Sequence, residues 1–211
     1  MTDQNSANVL LYFEEEINQI KSSTIADYVF EIFNKLCPNY FWDCPASTSG
    51  KYHPKISLGK HGLIRHTKLA VWWAKELLRS SNHNFSQIHL DCAIATLLVH
   101  DIIKNGDAEI IDGEIVKEKD ATKCHGFWLA EKIRKEVWDG SVEDDLLDCE
   151  QSLIYWGVRN HMGKWGYGEE VYPYHPPENI QHFVVLVHLA DYCASRKVDE
   201  EYEKILQEIP D

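Results

Sequence analysis

From Ala93 to Val99 the chain reads AIATLLV, seven residues without a charge, and His100 and Asp101 follow at once. A helix with no polar stripe has no face to offer water, so it is expected to be buried all round. That places the segment SQIHLDCAIATLLVHDIIKNG at the centre of the fold, with other elements packed around it. Gly106 is the expected C-cap of this helix.

The surrounding elements read as helices too. Val9, Phe13, Ile17 and Ile20 share one helical face, and Ile25, Val29, Ile32, Phe33 and Leu36 share another. Serines stand at the start of the second helix, and Pro38 ends it. Leu63, Thr67, Ala70, Ala74 and Leu77 predict a helix after Gly62. Three more are expected at about 121–138, 144–161 and 179–195, and a short charged one at DEEYEKILQEI. EIIDGEIV predicts a small β-hairpin around Asp112-Gly113. Residues 38–61 hold three prolines and read as a long loop whose aromatics argue against disorder. GKWGYGEEVYPYHPPEN reads as a second loop. The expectation is a single all-α domain over 1–211, a helical bundle with one minor β-hairpin. It has a helical N-terminal extension over about 1–40 and a core over about 45–195. A chain of 211 residues is long enough to bury such a core.

Composition narrows the partners. The formal charge is −13, which disfavours long nucleic acid. Between Cys44 and Lys75 there is no Asp or Glu, yet Lys51, Lys55, Lys60, Arg65, Lys68 and Lys75 all fall there. Such a stretch either draws a small anion to one place or is a fluctuation of surface composition. The six cysteines form no CxxC pair and are expected as reduced, mostly buried thiols. The start has no basic n-region and no run approaches a membrane span, so a cytoplasmic protein with no membrane partner is expected.

The oddity lies in five segments that carry a His or Asp on the apolar side of a helix. His66 is in register with Leu63, Ala70 and Trp73. His100 and Asp101 end the most hydrophobic helix. His125 precedes Leu129 by one turn, His161 follows Gly157 by one turn, and Asp191 follows FVVLVHLA. A lone core histidine usually hydrogen-bonds a carbonyl, and a lone buried Asp usually caps a helix. Five such sites in one chain point elsewhere. A buried carboxylate costs several kcal/mol or so. A divalent cation offsets that cost, and neutral imidazoles are its natural companions. Lys104, one turn beyond His100 and Asp101, reads alone as a solvated lysine favoured by the helix C-terminus. Beside a metal its ammonium would reach a bound anion.

These residues resemble the HD superfamily of metal-dependent phosphohydrolases, whose order is His, then His-Asp, then Asp on helices. The corresponding segments are GLIRHT (His66), LLVHDIIK (His100, Asp101) and HLADYCASR (Asp191), spanning about 45–195. ATKCHGFWLAEKI (His125) and VRNHMGKWG (His161) take the places of the two histidines that hold a second metal in many members. PASTSGKYHPKISLGKHGLIRHT looks like the loop before a GGLLEHT-type first motif. Departures are Arg65 for a common acidic residue, Ile103 for the Gly of HDIGK, and Met162 where a second His is common. The last puts the second metal site in doubt.

The resemblance implies an all-α HD-like fold. It implies a hydrolase of phosphoesters or phosphoanhydrides of nucleotides or small nucleotide derivatives. The cofactor would be one or two divalent ions (Mn, Fe, Co, Ni or Zn, with Mg a further candidate). His66, His100, Asp101, Asp191, His125 and His161 would be metal ligands, and Asp101 would bridge two ions. Asp101 and Lys104 would be catalytic, and Lys51, His53 and Lys104 would bind the substrate. Apart from the resemblance, Trp165 and Tyr167, Gly-flanked aromatics in a loop, are expected either to stack on a base or to act as a simple lid. His61, His182 and His188 are assigned to structure, with His188 one turn before Asp191 and able to orient it. The alternatives are a nuclease or phosphodiesterase on short or cyclic oligonucleotides, and a sensor or scaffold that binds metal and nucleotide without turnover.

Overall fold

The structure is a computed structural model that describes residues 2–47, 50–81, 83–111, 114–138, 150–166 and 176–196. The hairpin turn at Asp112-Gly113, the first turn of the sixth expected helix, Cys149, Tyr167 and the closing charged helix lie outside the described residues. The protein is an all-α bundle with a small β-hairpin, as its periodicities predict. The helices are α1 (Thr2–Ile17), α2 (Ser23–Leu36), α3 (Gly62–Ser80), α4 (Gln87–Val99), α5 (Ala121–Lys132), α6 (Glu150–Asn160) and α7 (Gln181–Ala194). β1 (Glu109–Ile111) pairs antiparallel with β2 (Glu114–Val116), Ile110 opposite Ile115. Among the described residues no helix is long and apolar enough to cross a membrane.

α4 is buried from Asp91 to Val99, between α2, α3, α6 and α7. Each fully buried Leu or Ile on it contributes about 1.5–3 kcal/mol. The helix ends at Val99, earlier than Gly106. Successive three-residue turns carry the chain onward through Ile102 N–H to Val99 O, Lys104 N–H to Asp101 O and Gly106 N–H to Ile103 O. Gly106 then turns the chain away at φ +68°. Tyr40 pins this stretch: its hydroxyl donates to Gly106 O at 2.8 Å and accepts from Asn105 N–H at 3.3 Å.

α1 and α2 pack on this frame through a cluster of Phe13, Phe33, Phe41 and Trp42. Two buried polar groups tie them down. Asn5 donates to Phe33 O and Cys37 O, closing the end of α2, and accepts from Trp42 Nε1. Asp91 on α4 accepts from the amides of Lys21 and Ser22 at 3.0 and 2.8 Å. The loop over 38–61 contains two short 3-10 turns, Asn39–Trp42 and Lys55–Ser57. It lies so close to α3 that a Cβ on Gly62 would stand 2.4 Å from Ser57 O.

α5 is shorter than the stretch expected for it and runs on into one wide π-turn, Ile133–Val137. α7 is preceded by the 3-10 turn Glu178–Ile180. The five described cysteines are free, four of them buried.

Candidate metal centre

Five helices deliver the six ionisable residues to one place. α3 brings His66, the turn after α4 brings His100 and Asp101, α5 brings His125, and α7 brings Asp191. His161 follows directly on the end of α6. His66, His100, Asp101, His125 and His161 are 0–2% exposed, so water cannot solvate them.

The ligand atoms form two sets that share Asp101. In the first, His66 Nε2 lies 3.0 Å from Asp191 Oδ1, 3.6 Å from Asp101 Oδ2 and 3.4 Å from His100 Nε2. His100 Nε2 lies 3.5 Å from Asp101 Oδ2 and 3.6 Å from Asp191 Oδ1. In the second, Asp101 Oδ1 lies 2.9 Å from His125 Nε2 and 3.6 Å from His161 Nε2, which are 3.1 Å from each other. Donors about 2.1 Å from a common ion stand about 3.0 Å apart at a right angle and about 3.4 Å at a tetrahedral one. Three groups drawn from these atoms, His66 with His100 and Asp101, His100 with His161 and Asp191, and Asp101 with His125 and His161, each lie within 4.8 Å, close enough to share an ion.

Proton bookkeeping makes the same point. His100, His125 and His161 each place Nδ1 on a carbonyl one turn back, Leu97 O at 2.6 Å, Ala121 O at 3.0 Å and Val158 O at 2.7 Å. Those bonds assign the proton to Nδ1 and leave Nε2 as a lone pair. In their neutral forms, His125 Nε2, His161 Nε2 and Asp101 Oδ1 are then three acceptors facing one another. A cation between them resolves the repulsion, and these buried groups could hold a metal ion. His66 differs, since its buried Nδ1 has no hydrogen-bond partner among the described residues.

The charges suit that role. Burial would raise the Asp101 and Asp191 carboxyls, but Lys104 and His100 beside the first, and His100 and His66 beside the second, hold both well below the usual carboxylate range. Burial pulls His66 and His125 below the ordinary imidazole value. For His100 the two carboxylates outweigh burial and hold it up. Lys104 stays charged, because Asp101 and Asp191 overcome its burial. Its ammonium sits 2.5 Å from Asp101 Oδ2 and is a partner of the cluster, not the solvated lysine its position alone suggests.

Asp101, His125, His161 and Asp191 line a cavity of about 490 Å³, within the usual range for small-ligand sites, while His66 and His100 lie behind its lining. His53, Lys104, Met162, Trp165 and His188 line it, joined by Tyr52, Thr122, Tyr192, Ser195 and Arg196, which sequence reasoning did not single out. The segment HLADYCASR that carries Asp191 already held Tyr192, Ser195 and Arg196.

Three expectations are corrected. Lys51 is not part of the lining; it is exposed, with its ammonium 4.9 Å from the Tyr52 ring. The basic stretch as a whole does not face the cavity. Lys60 pairs with Asp43, Lys68 with Glu16 and Lys75 with Gln19, while Arg65 donates to the carbonyls of Ile56 and Leu58. His188 does not orient Asp191; its Nδ1 pairs with His161 O at 2.7 Å. Ser195 Oγ, at 3.5 Å, is the hydroxyl beside Asp191 Oδ1.

His53 does line the cavity, but burial and the nearby Lys104 lower its pKa to about 4, so it is neutral at pH 7. His61 and His182 stay structural: His61 caps the loop through Trp42 O at 2.6 Å, and His182 packs on His83. Met162 does not displace its neighbour, since His161 keeps its place in the second set.

No family model matches the chain, and no curated protein and no solved structure is significantly similar to it. Fold and site therefore define a class by themselves: an all-α bundle that buries a His/Asp cluster able to bind metal at the floor of an open cavity.

Proposed function

We propose that the protein is a metal-dependent phosphohydrolase of the HD type, acting on a nucleotide or a small nucleotide derivative. The observation that carries this reading is the division of Asp101. Its two oxygens face two different histidine sets at the floor of one cavity. His66, His100, Asp101 and Asp191 would hold one divalent cation, and Asp101, His125 and His161 a second. Imidazole and carboxylate donors suit Mn, Fe, Co, Ni or Zn, with Mg a further candidate. Such ions, when bound, supply Lewis acidity toward a phosphoryl oxygen and acidify water at neutral pH.

The chain's own groups supply the rest. Lys104, mostly buried and charged, neutralises negative charge that builds on the phosphoryl group. His53, neutral at pH 7, serves as a hydrogen-bond partner to the substrate and not as a cationic phosphate receptor. Trp165, 45% exposed beside the cavity, offers a ring for a base to stack on.

The test is metal replacement. The protein is stripped with chelator and restored with Mn²⁺, Co²⁺, Ni²⁺ or Mg²⁺ in turn. It is then assayed on an aryl phosphate, an aryl phosphodiester and a nucleotide panel. Turnover of monoesters or anhydrides is expected. Preference for the diester would favour the nuclease or phosphodiesterase alternative, and no turnover with any metal would leave a binding protein. Turnover that survives Asp101→Ala would sink the proposed mechanism.

A further inference from the structure

We propose that Arg196 is the phosphate-recognition residue of the cavity, held on a platform of Tyr192, Trp165 and Tyr52 that also receives the base. This rests on the reading of the ligand as a nucleotide and names the subsite that reads it.

Among the described lining residues the permanent cations are Lys104 and Arg196. Lys104 is bound to Asp101 at 2.5 Å, so its charge is directed to the cluster. Arg196 is differently placed. Its guanidinium carbon lies 4.2 Å from the Tyr192 ring centroid, 5.5 Å from Trp165 and 5.6 Å from Tyr52. Tyr192 and Trp165 are themselves stacked at 5.2 Å with planes 16° apart. Among the described residues Arg196 forms no ion pair, and its buried Nε has no hydrogen-bond partner.

The chemistry of this arrangement is specific. Rings hold a guanidinium through its face and leave its edge donors unsatisfied. A planar fork with unsatisfied N–H groups matches two oxygens of a phosphate. Arg196 follows Asp191 by five residues, just beyond the end of α7, and both line the cavity. The fork therefore belongs to the same cavity as the metal ligands and not to a separate surface. The platform also retains open aromatic surface, with Tyr52 54% and Trp165 45% exposed. A ligand with a phosphate and a flat ring meets both features, and a nucleoside monophosphate is the smallest such nucleotide.

Calorimetric titration tests the assignment. Wild type, Arg196→Met, Arg196→Lys and Trp165→Leu, brought to equal metal content, are titrated with a nucleoside monophosphate, the matching nucleoside and inorganic phosphate. Arg196→Met is expected to weaken both phosphate-bearing probes roughly ten- to hundredfold and to leave the nucleoside unchanged. Arg196→Lys should recover only part of the loss, because an ammonium has no fork. Trp165→Leu should weaken the nucleotide and the nucleoside but not inorganic phosphate. Phosphate affinity within twofold of wild type in Arg196→Met would overturn the assignment, as would a wild type that binds nucleoside as tightly as nucleotide or binds neither. Binding that follows this pattern without turnover under any metal would overturn the hydrolase reading and leave the subsite standing.

Discussion

Replacing Asp101 by asparagine should remove about twice as much metal-dependent stability as replacing Asp191 or His161. The factor of two comes from the geometry. Asp101 Oδ2 stands 3.6 and 3.5 Å from His66 and His100, and Oδ1 stands 2.9 and 3.6 Å from His125 and His161. Asp191 stands nearest the first pair, at 3.0 and 3.6 Å, and His161 lies farther off, within 4.8 Å. A ligand at a thousandfold excess over its Kd stabilises by about 4 kcal/mol, so two such ions give about 8 kcal/mol. A loss of about 2 kcal/mol per ion, a thirtyfold weakening, costs about 4 kcal/mol in Asp101→Asn and about 2 in Asp191→Asn or His161→Gln. For a chain of this length that is about 8–16 °C against about 4–8 °C of metal-induced Tm shift. The assay is a thermal melt of each variant with chelator and with saturating metal, so each is its own reference. Metal content by mass spectrometry runs alongside. Equal deficits for Asp101→Asn and Asp191→Asn, with none for His161→Gln, would refute the two-set reading.

Gly126→Ala should discharge the second set alone. The new Cβ would stand 2.9 Å from His161 Cε1 and from Val158 O, and the backbone contact cannot yield cheaply. Metal content should fall to one ion, with His66, His100 and Asp191 still loaded; two ions in this variant would show that His161 does not ligate. Asp91→Ala should lower stability by about 2–3 kcal/mol by leaving the Lys21 and Ser22 amides without their acceptor, at unchanged metal content. A denaturant melt that moves by less than half of this would count against it. The metal-free protein should also lose stability on acidification below about pH 6.5. His66 and His125 are depressed in the fold, so the unfolded chain takes up protons there first. Asp101 and Asp191, also depressed, extend the loss as pH falls further. His100 is raised and opposes the trend, its contribution being lost as pH rises above its folded value. Greater stability at pH 5 than at pH 7 in chelator would contradict this balance.

The helices were legible because burial leaves a period. Val9, Phe13, Ile25, Val29, Ile32 and Phe33, assigned to apolar faces from spacing alone, are 0–1% exposed. The cluster was legible for the complementary reason: an ionisable group on an apolar face breaks that period, and each break marked a residue that faces the others. The misjudged residues share a different trait. Arg65 and Lys68 look unassigned in the sequence, but carbonyls of Ile56, Leu58 and Tyr12 take their donors. Charge counted along the chain does not reveal such local acceptors. Arg196 and Tyr52 were missed because they lie far apart in sequence and meet only where the 50s loop passes the end of α7.

The same logic explains why the cluster sits at the end of α4. A helix buried from Asp91 to Val99 satisfies its backbone internally but leaves unpaired carbonyls at its C-terminus. His100 takes Leu97 O there, and that single bond both satisfies a buried acceptor and aims Nε2 into the cluster. His161 repeats the device on Val158 O near the end of α6, while His125 is aimed by Ala121 O at the start of α5. These three histidines are therefore oriented by their own helices, and their Nε2 lone pairs remain to be matched. Against them stand two carboxylates and one ammonium, a net charge of about −1 before any proton is added to the histidines, in a mostly buried site. An added proton neutralises that charge but matches only one lone pair. A divalent cation would match a whole set of lone pairs at once, and these buried groups could hold one.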